Sequence, residues 1–423
     1  MRANVLVELL RIFSALRYRD FRLFWTGLVG QITGMQMTIV TMGWLTFDIT
    51  GSPFALGMIN LVTALPRLTL TLIGGALADR WQPRGLIIGA QSVSAATVAA
   101  LAALTITDQI TVWHLAIGAV LLGLVQAFDE PSRASIFPRL LPDRSLIPQA
   151  VPLISMAWSS TRIVAPSIAG FVIAAAGAGP SFLLGAAGSV IMVAMVSMVR
   201  SDTRAAIHPG GPRTSVLHVL MEGAIYVWGN AAFRVVVVLA YVNSFLAMGS
   251  IMMLPVFAVD VFGVDSRGLG FMYSTQGVGA ILGLLAYAKL TRVRPPGQVF
   301  VGALLAFSGS LLAFALTPWF FPAVGLLFLS AFFNTVQQTT GQVVLQTLVP
   351  DGLRGRVMGV HGTHWSFLPL GGAALNVAAH FVGAPTALAG SVTIAMLIVA
   401  ALGPRNAALH AVRLPQPDEA VVR

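Results

Sequence analysis

Charges are so sparse along this chain that the runs between them mark out its elements. Residues 23–47 carry no charge and predict a first membrane span. The second lies within 49–78 and holds one arginine, Arg67. Uncharged runs at 85–107 and 109–128 predict the third and fourth. The fifth lies within 145–176 and contains Arg162; the sixth follows the turn Gly177-Ala178-Gly179-Pro180 and ends near Val199. Runs at 235–259 and 268–288 predict the seventh and eighth. The run 295–350 is long enough for two spans, parted at Thr317-Pro318-Trp319, and 357–404 for two more, parted at Gly383-Ala384-Pro385. About 20 apolar residues cross a bilayer, so the pattern predicts twelve transmembrane helices and an all-α integral membrane fold.

Composition excludes the alternatives. Hydrophobic residues make up 57% of the 423, and charged residues only 9%. An ordinary soluble domain carries about 25% charged residues, so a soluble enzyme of this size is excluded, and so is a disordered chain. There is no cysteine, hence no disulfide framework and no thiolate metal site. The net charge of +10 does not point to nucleic acid, because the basic residues sit at span ends. The single lysine, Lys289, among 25 basic residues reads as compositional bias.

Sorting those 25 residues orients the chain. Arg2, Arg11, Arg17, Arg19 and Arg22 precede the first span, and Arg405, Arg413 and Arg423 follow the last. The loops after even-numbered spans hold Arg80, Arg84, Arg133, Arg139, Arg144, Arg200, Arg204, Arg213, Lys289, Arg292, Arg294, Arg354 and Arg356, with Arg234 opening the seventh span. The loops after odd-numbered spans hold only Arg267. Basic loops stay in the cytoplasm, so both termini are expected there, in an inner membrane. Residues 1–20 are expected to form an amphipathic segment on the membrane surface rather than a signal peptide, since Glu8 and Arg11 interrupt any apolar core.

Landmarks recur in order. Leu56-Gly57 returns as Leu269-Gly270 at an offset of 213, and Ala78 before a basic loop returns as Ala288 at 210. Leu140-Leu141-Pro142-Asp143 returns as Leu348-Val349-Pro350-Asp351 at 208. These predict two parallel six-helix pseudo-repeats, at 21–199 and 231–403, with a linker over 200–230 and a tail over 404–423 expected to be disordered. The linker includes a second amphipathic stretch at 216–229. Parallel halves with a site between them are a transporter architecture.

The loop Gly75-Ala76-Leu77-Ala78-Asp79-Arg80-Trp81-Gln82-Pro83-Arg84 resembles the signature loop of the major facilitator superfamily. Thr50-Gly51-Ser52-Pro53, Leu65-Pro66, Arg162 to Gly170, Leu141-Pro142-Asp143 and Leu348 to Val357 are similar to the branch of enterobactin exporters and macrolide efflux proteins. The resemblance covers essentially the whole chain. It implies the major facilitator fold, alternating access about a cavity lined by the first, fourth, seventh and tenth spans, and proton-coupled export. No phosphate-binding loop motif surrounds Lys289, so ATP is not expected as the energy source. No cofactor, metal site or nucleic acid is expected. The expected partners are a small-molecule substrate, protons and the bilayer, with the chain acting as a monomer.

The resemblance assigns Asp79, Arg80 and Arg84 to an inner gate that pairs with the loop after the fourth span at Arg133; the alternative is a basic loop that only sets topology. Thr161, Ala165, Pro166, Ala169 and Gly170 occupy the positions of an antiporter motif, or else simply let helices pack closely. Arg67 and Arg162 lie about 11–14 residues from their span ends, roughly 15–20 Å deep. Charge at that depth is costly and normally faces a cavity or a partner. No acidic residue is expected at comparable depth. Asp129 and Glu130 are read as ending the fourth span beside Pro131 and Arg133, in an ion-pair gate or in proton exchange. An aspartate common midway along the first span of relatives is absent; Gly34-Met35-Gln36 stands there. His361 and His364 are a further titratable pair. Asn334, Gln337, Gln338, Gly341 and Gln342 form a polar stripe on the tenth span. With Gln31, Met35 and Thr38, then Gln126, Asn243, Ser244 and Trp365, they either line a cavity for an amphipathic compound or bond helix to helix. An importer of one nutrient and a non-transporting sensor are the rival readings.

Overall fold

The computed structural model describes residues 13–80, 82–143, 146–201 and 216–403. Every regular element among them is helical. The main helices are α1 (Arg19–Thr50), α2 (Pro53–Arg80), α3 (Pro83–Ile106), α4 (Val112–Ile136), α5 (Ile147–Ala176), α6 (Ala178–Ser197), α7 (Val216–Gly229) and α8 (Ala231–Val242). They continue as α9 (Ser266–Val293), α10 (Pro296–Leu316), α11 (Phe320–Leu348), α12 (Asp351–Gly362), α13 (Phe367–Val382) and α14 (Ala384–Leu402). The expected N-terminal surface segment lies largely outside the described residues, as do most of the linker and the tail.

Ten helical stretches among the described residues are long and apolar enough to cross a membrane. The molecule is therefore a multi-pass membrane protein. α1 is long enough at 32 residues but is not one of the ten. Its middle is diluted by Gly30, Gln31, Thr33, Gly34, Gln36 and Thr38, so charge-free does not mean strongly apolar there. The turns expected between spans fall at α10–α11 and at α13–α14. Gly177 and Gly383, with φ of 90° and 82°, reverse the chain before α6 and α14. A side chain at such a φ is strained, which is why glycine holds both corners.

The chain forms two compact units, Met1–Gly211 with Val264–Tyr273, and Pro212–Gly263 with Ser274–Arg423. In the first, α1 packs on α6 through glycine. A Cβ on Gly34 would overlap the carbonyl of Gly185, and one on Gly188 the carbonyl of Gly30. Thr41 and Ser181 hydroxyls bond at 2.7 Å across the same contact, and Ser94 and Ser189 at 3.0 Å join α3 to α6. Gly123 of α4 likewise sits against the carbonyl of Thr63 on α2. Small residues let backbones approach where lipid offers no hydrophobic drive for helix pairing.

In the second unit, the expected uniform span 235–259 is irregular. α8 gives way to a π segment at Asn243–Ala247, a 3-10 segment at Met248–Met253, one turn at Leu254–Val256 and a second π segment at Phe257–Val261. This broken helix packs on α13, where Gly371 meets the carbonyl of Phe245 and Gly249 meets the backbone at Gly371. Gly279 and Gly283 of α9 meet the carbonyls of Phe328 and Phe332 on α11.

Candidate functional site

Unit 1 carries its polar chemistry as charge. α4 does not stop before Asp129, as the sequence pattern implied, but runs through Pro131 to Ile136. Proline costs the helix one backbone bond; Asp129 and Arg133, one turn apart, bridge the same stretch at 2.6 Å. Both are buried, and the Arg133 guanidinium lies 5.7 Å from the centre of the Trp158 ring on α5. The second Asp129 oxygen, Oδ1, is buried with no hydrogen-bond partner.

The extension of α4 corrects a second expectation. Arg67, in the middle of α2, does face an acid: its Nη2 lies 2.9 Å from Glu130 Oε2. Glu130 is half exposed while Arg67 is mostly covered. A deep cation is thus paired with a carboxylate that keeps access to solvent.

The signature loop is organised differently from the expected gate. Arg84 bonds the carbonyls of Val196 at 3.2 Å and Ser197, at the end of α6. Arg133 is held by Asp129 of its own helix. A cation on the last carbonyls of a helix also meets the negative end of its dipole. Arg19 adds a bond to Met198 O at 3.2 Å, and Asp20 accepts from the backbone and hydroxyl of Ser201 and the backbone of Arg200. Burial alone would raise the Asp20 carboxyl; the Ser201 and Arg200 donors and the Arg19 charge outweigh it and hold the carboxyl below its ordinary range. The side chains of Asp79, Arg80 and Arg162 lie outside the described residues.

On α5, the Thr161 hydroxyl bonds back to Ala157 O at 2.6 Å. Ala165, Pro166 and Ala169 are buried, and a Cβ on Gly170 would overlap the backbone of Gly270, which belongs to the same unit. Gln31 is buried with Oε1 unpartnered, while Met35 and Gln126 are half-buried and stand apart from the charged cluster. A cavity of about 680 Å³ between α3 and α4 is walled by Leu86, Val93, Leu121, Leu124 and Phe128, with no titratable side chain among its lining.

Unit 2 carries its polar chemistry as neutral groups around one cavity of about 130 Å³. Asn243, Gln337, Gln338, Gln342, His361, His364 and Trp365 line it together. Water in the liquid occupies about 30 Å³, so roughly four molecules or one small polar group would fill it. Asn334 is not on the lining but orders it: its Oδ1 accepts from Gln337 at 3.0 Å and Gln338 at 3.4 Å. His364 Nδ1 bonds the carbonyl of His361, and the two rings stand 4.7 Å apart. α12 loosens into a 3-10 turn at Thr363–Ser366, between these histidines and α13. The Tyr241 hydroxyl donates to Val360 O at 2.9 Å and meets Thr363 there. Asn243 Oδ1 and His361 Nδ1 are buried without a partner. Phe300 and Met358 complete the wall, and Tyr241 supports it; none had been singled out from sequence.

A family described as "Transmembrane secretion effector" matches residues 11–422. The chain is 27% identical to the multidrug efflux pump Tap of Mycolicibacterium fortuitum over 78% of this chain and 81% of that protein. It is 25% identical to the enterobactin exporter EntS of Shigella boydii over 79% of this chain and 76% of that protein. The solved bacterial homologue of the lysosomal transporter Spinster superposes with a TM-score of 0.70, covering 91% of this chain and 96% of that one at 15% identity. The chain belongs to the transmembrane secretion effector family, in the efflux branch of the major facilitator superfamily, and is a membrane transporter and not an enzyme.

Proposed function

We propose that the chain exports small amphipathic organic compounds, drugs or siderophore-like metabolites, from a bacterium in exchange for protons. Twelve spans in two parallel six-helix halves would alternate access to a central cavity. The protein would act as a monomer in the inner membrane with both termini in the cytoplasm, drawing on the proton gradient and not on ATP. The names of the relatives support the direction and the cargo class. The basic residues around predicted even-to-odd loops support the orientation.

One observation carries the coupling: the Arg67–Glu130 pair, 2.9 Å apart, inside the membrane-spanning part of unit 1. Glu130 is half exposed, so a proton can reach it. Protonation cancels the charge that Arg67 faces and weakens the tie between α2 and α4. Two states of that tie give the proton a means to bias the conformation. Asp129 and Arg133, both buried, are the fixed counterpart next to it and serve as scaffold. The neutral amides and imidazoles of unit 2 suit the polar part of an amphipathic cargo.

The test is accumulation of a labelled compound panel in an efflux-deficient bacterium, with and without a protonophore, for the wild type and Glu130→Gln. Export predicts lowered accumulation that the protonophore reverses and Glu130→Gln abolishes. Raised, gradient-dependent accumulation would replace export by import. Export that survives Glu130→Gln intact would remove Glu130 from the coupling.

A further inference from the structure

α7 is 14 residues long, about 21 Å, and cannot cross a hydrocarbon core of about 30 Å. One side of it is docked within unit 2. Gly223 sits so close to the carbonyl of Arg356 on α12 that a Cβ would lie 2.6 Å away, Val227 is fully buried, and Glu222 pairs with Arg356 at 2.7 Å. The other side presents Met221, Ile225 and Trp228, spaced one turn apart, with 55%, 68% and 60% of their surfaces exposed. Only Asn230 separates α7 from the stretch Ala231–Val261, which is long and apolar enough to cross the membrane, so the exposed stripe ends where a span begins. At that end Arg234 is exposed and donates to the carbonyl of Trp228 at 3.3 Å.

We infer that α7 lies in the plane of the bilayer interface, with Met221, Ile225 and Trp228 among the upper acyl chains and Arg234 at the phosphate level. A short helix with one docked face and one apolar face at the mouth of a span has that one environment open to it. An indole at this level and a guanidinium beside it are the usual anchors. The docked face sets the helix's roll, so the apolar stripe faces the lipid without a second protein partner. The inference does not depend on the direction of transport.

The chain lacks cysteine, so a single Ile225→Cys can carry a nitroxide on the full-length protein. The protein would be placed in nanodiscs of phosphatidylglycerol and phosphatidylcholine, and the label's collisions with oxygen and with a water-soluble nickel chelate compared. A label on Gln109→Cys, in the exposed turn between α3 and α4, gives the aqueous reference. Ile225→Cys is expected to collide several-fold more with oxygen, and several-fold less with nickel, than the reference. Met221→Cys should read the same and covers the case in which Ile225→Cys folds poorly. Nickel access equal to the reference at both positions would overturn the inference. So would dipolar broadening at position 225, because a second copy of the chain would then cover the stripe.

Discussion

The two units handle polarity inside a membrane in opposite ways. Unit 1 places full charges there and matches them in pairs, Arg67 with Glu130 and Arg133 with Asp129. Unit 2 lines its cavity with amides, two imidazoles and an indole. A buried charge without its partner costs several kcal/mol, whereas an amide is satisfied by water or by any donor or acceptor. The difference assigns two kinds of task. A paired carboxylate can exist in two charge states and so can count protons; a neutral rim can exchange hydrogen bonds with many cargos without a charge penalty.

The strongest way to break this comparison is to remove one charge and keep its shape. Asp129→Asn leaves Arg133 buried against Trp158 without a carboxylate. The expected loss is about 3–5 kcal/mol, read as a fall in melting temperature of the detergent-purified protein. The double change Asp129→Leu with Arg133→Met should recover most of that loss, because removing both partners leaves no orphan. If Asp129→Asn melts like the wild type, unit 1 does not rely on this pair.

The outer pair tests function rather than stability. Arg67→Gln and Glu130→Gln should each lower protonophore-sensitive export by about tenfold or more, equivalent to about 1.4 kcal/mol or more of coupling. The double variant should lose little further, since the second change removes an interaction already gone. Losses that multiply would show two independent roles.

In unit 2 the same kind of change is expected to act on selectivity. Gln338→Leu removes one amide from the rim and releases Asn334 from one of its two bonds. Export of polar cargos should weaken by a few fold, about 1 kcal/mol for one hydrogen bond, while export of apolar cargos holds. A uniform loss across the panel would mean that Gln338 serves packing between helices.

How far this division was legible in the sequence differs between the units. The unit 2 rim was visible because Asn334, Gln337, Gln338 and Gln342 recur at helical spacing in an apolar run, and polar side chains in a span need a common reason. Phe300 and Met358 carry no such signal, since an apolar residue in a span looks alike whether it faces lipid or a cavity. In unit 1, Arg67 stood out, but its partner did not. Asp129-Glu130-Pro131 reads as the end of a helix, and only the continuation of α4 to Ile136 carries Glu130 along the same helix as the Arg67 contact requires. The irregular course after α8 was hidden as well: the π segments follow from packing against Gly371 and Gly372, which lie over a hundred residues away. Arg84 was assigned to a gate because its loop is basic; that it reaches the carbonyls ending α6 depends on helix ends meeting in space.

That cap offers the smallest effect and a pH signature. Asp20 accepts three bonds from Arg200 and Ser201 just past α6, and these hold its carboxyl below the ordinary range against the opposing effect of burial. A carboxyl with a lower pKa in the folded than in the unfolded chain contributes stability that is present above the unfolded value, about 3.9. That contribution is lost as pH falls through the folded value. Asp20→Asn should therefore destabilise unit 1 by about 1 kcal/mol at neutral pH, the modest worth of a partly exposed charged contact. The gap between variant and wild type should close as pH drops below about 4. Melting curves of both proteins across that range in one detergent decide it. A gap that stays constant with pH would mean that the Ser201 bonds act through shape alone, and that the charge at Asp20 does nothing to fasten the start of α1 to the end of α6.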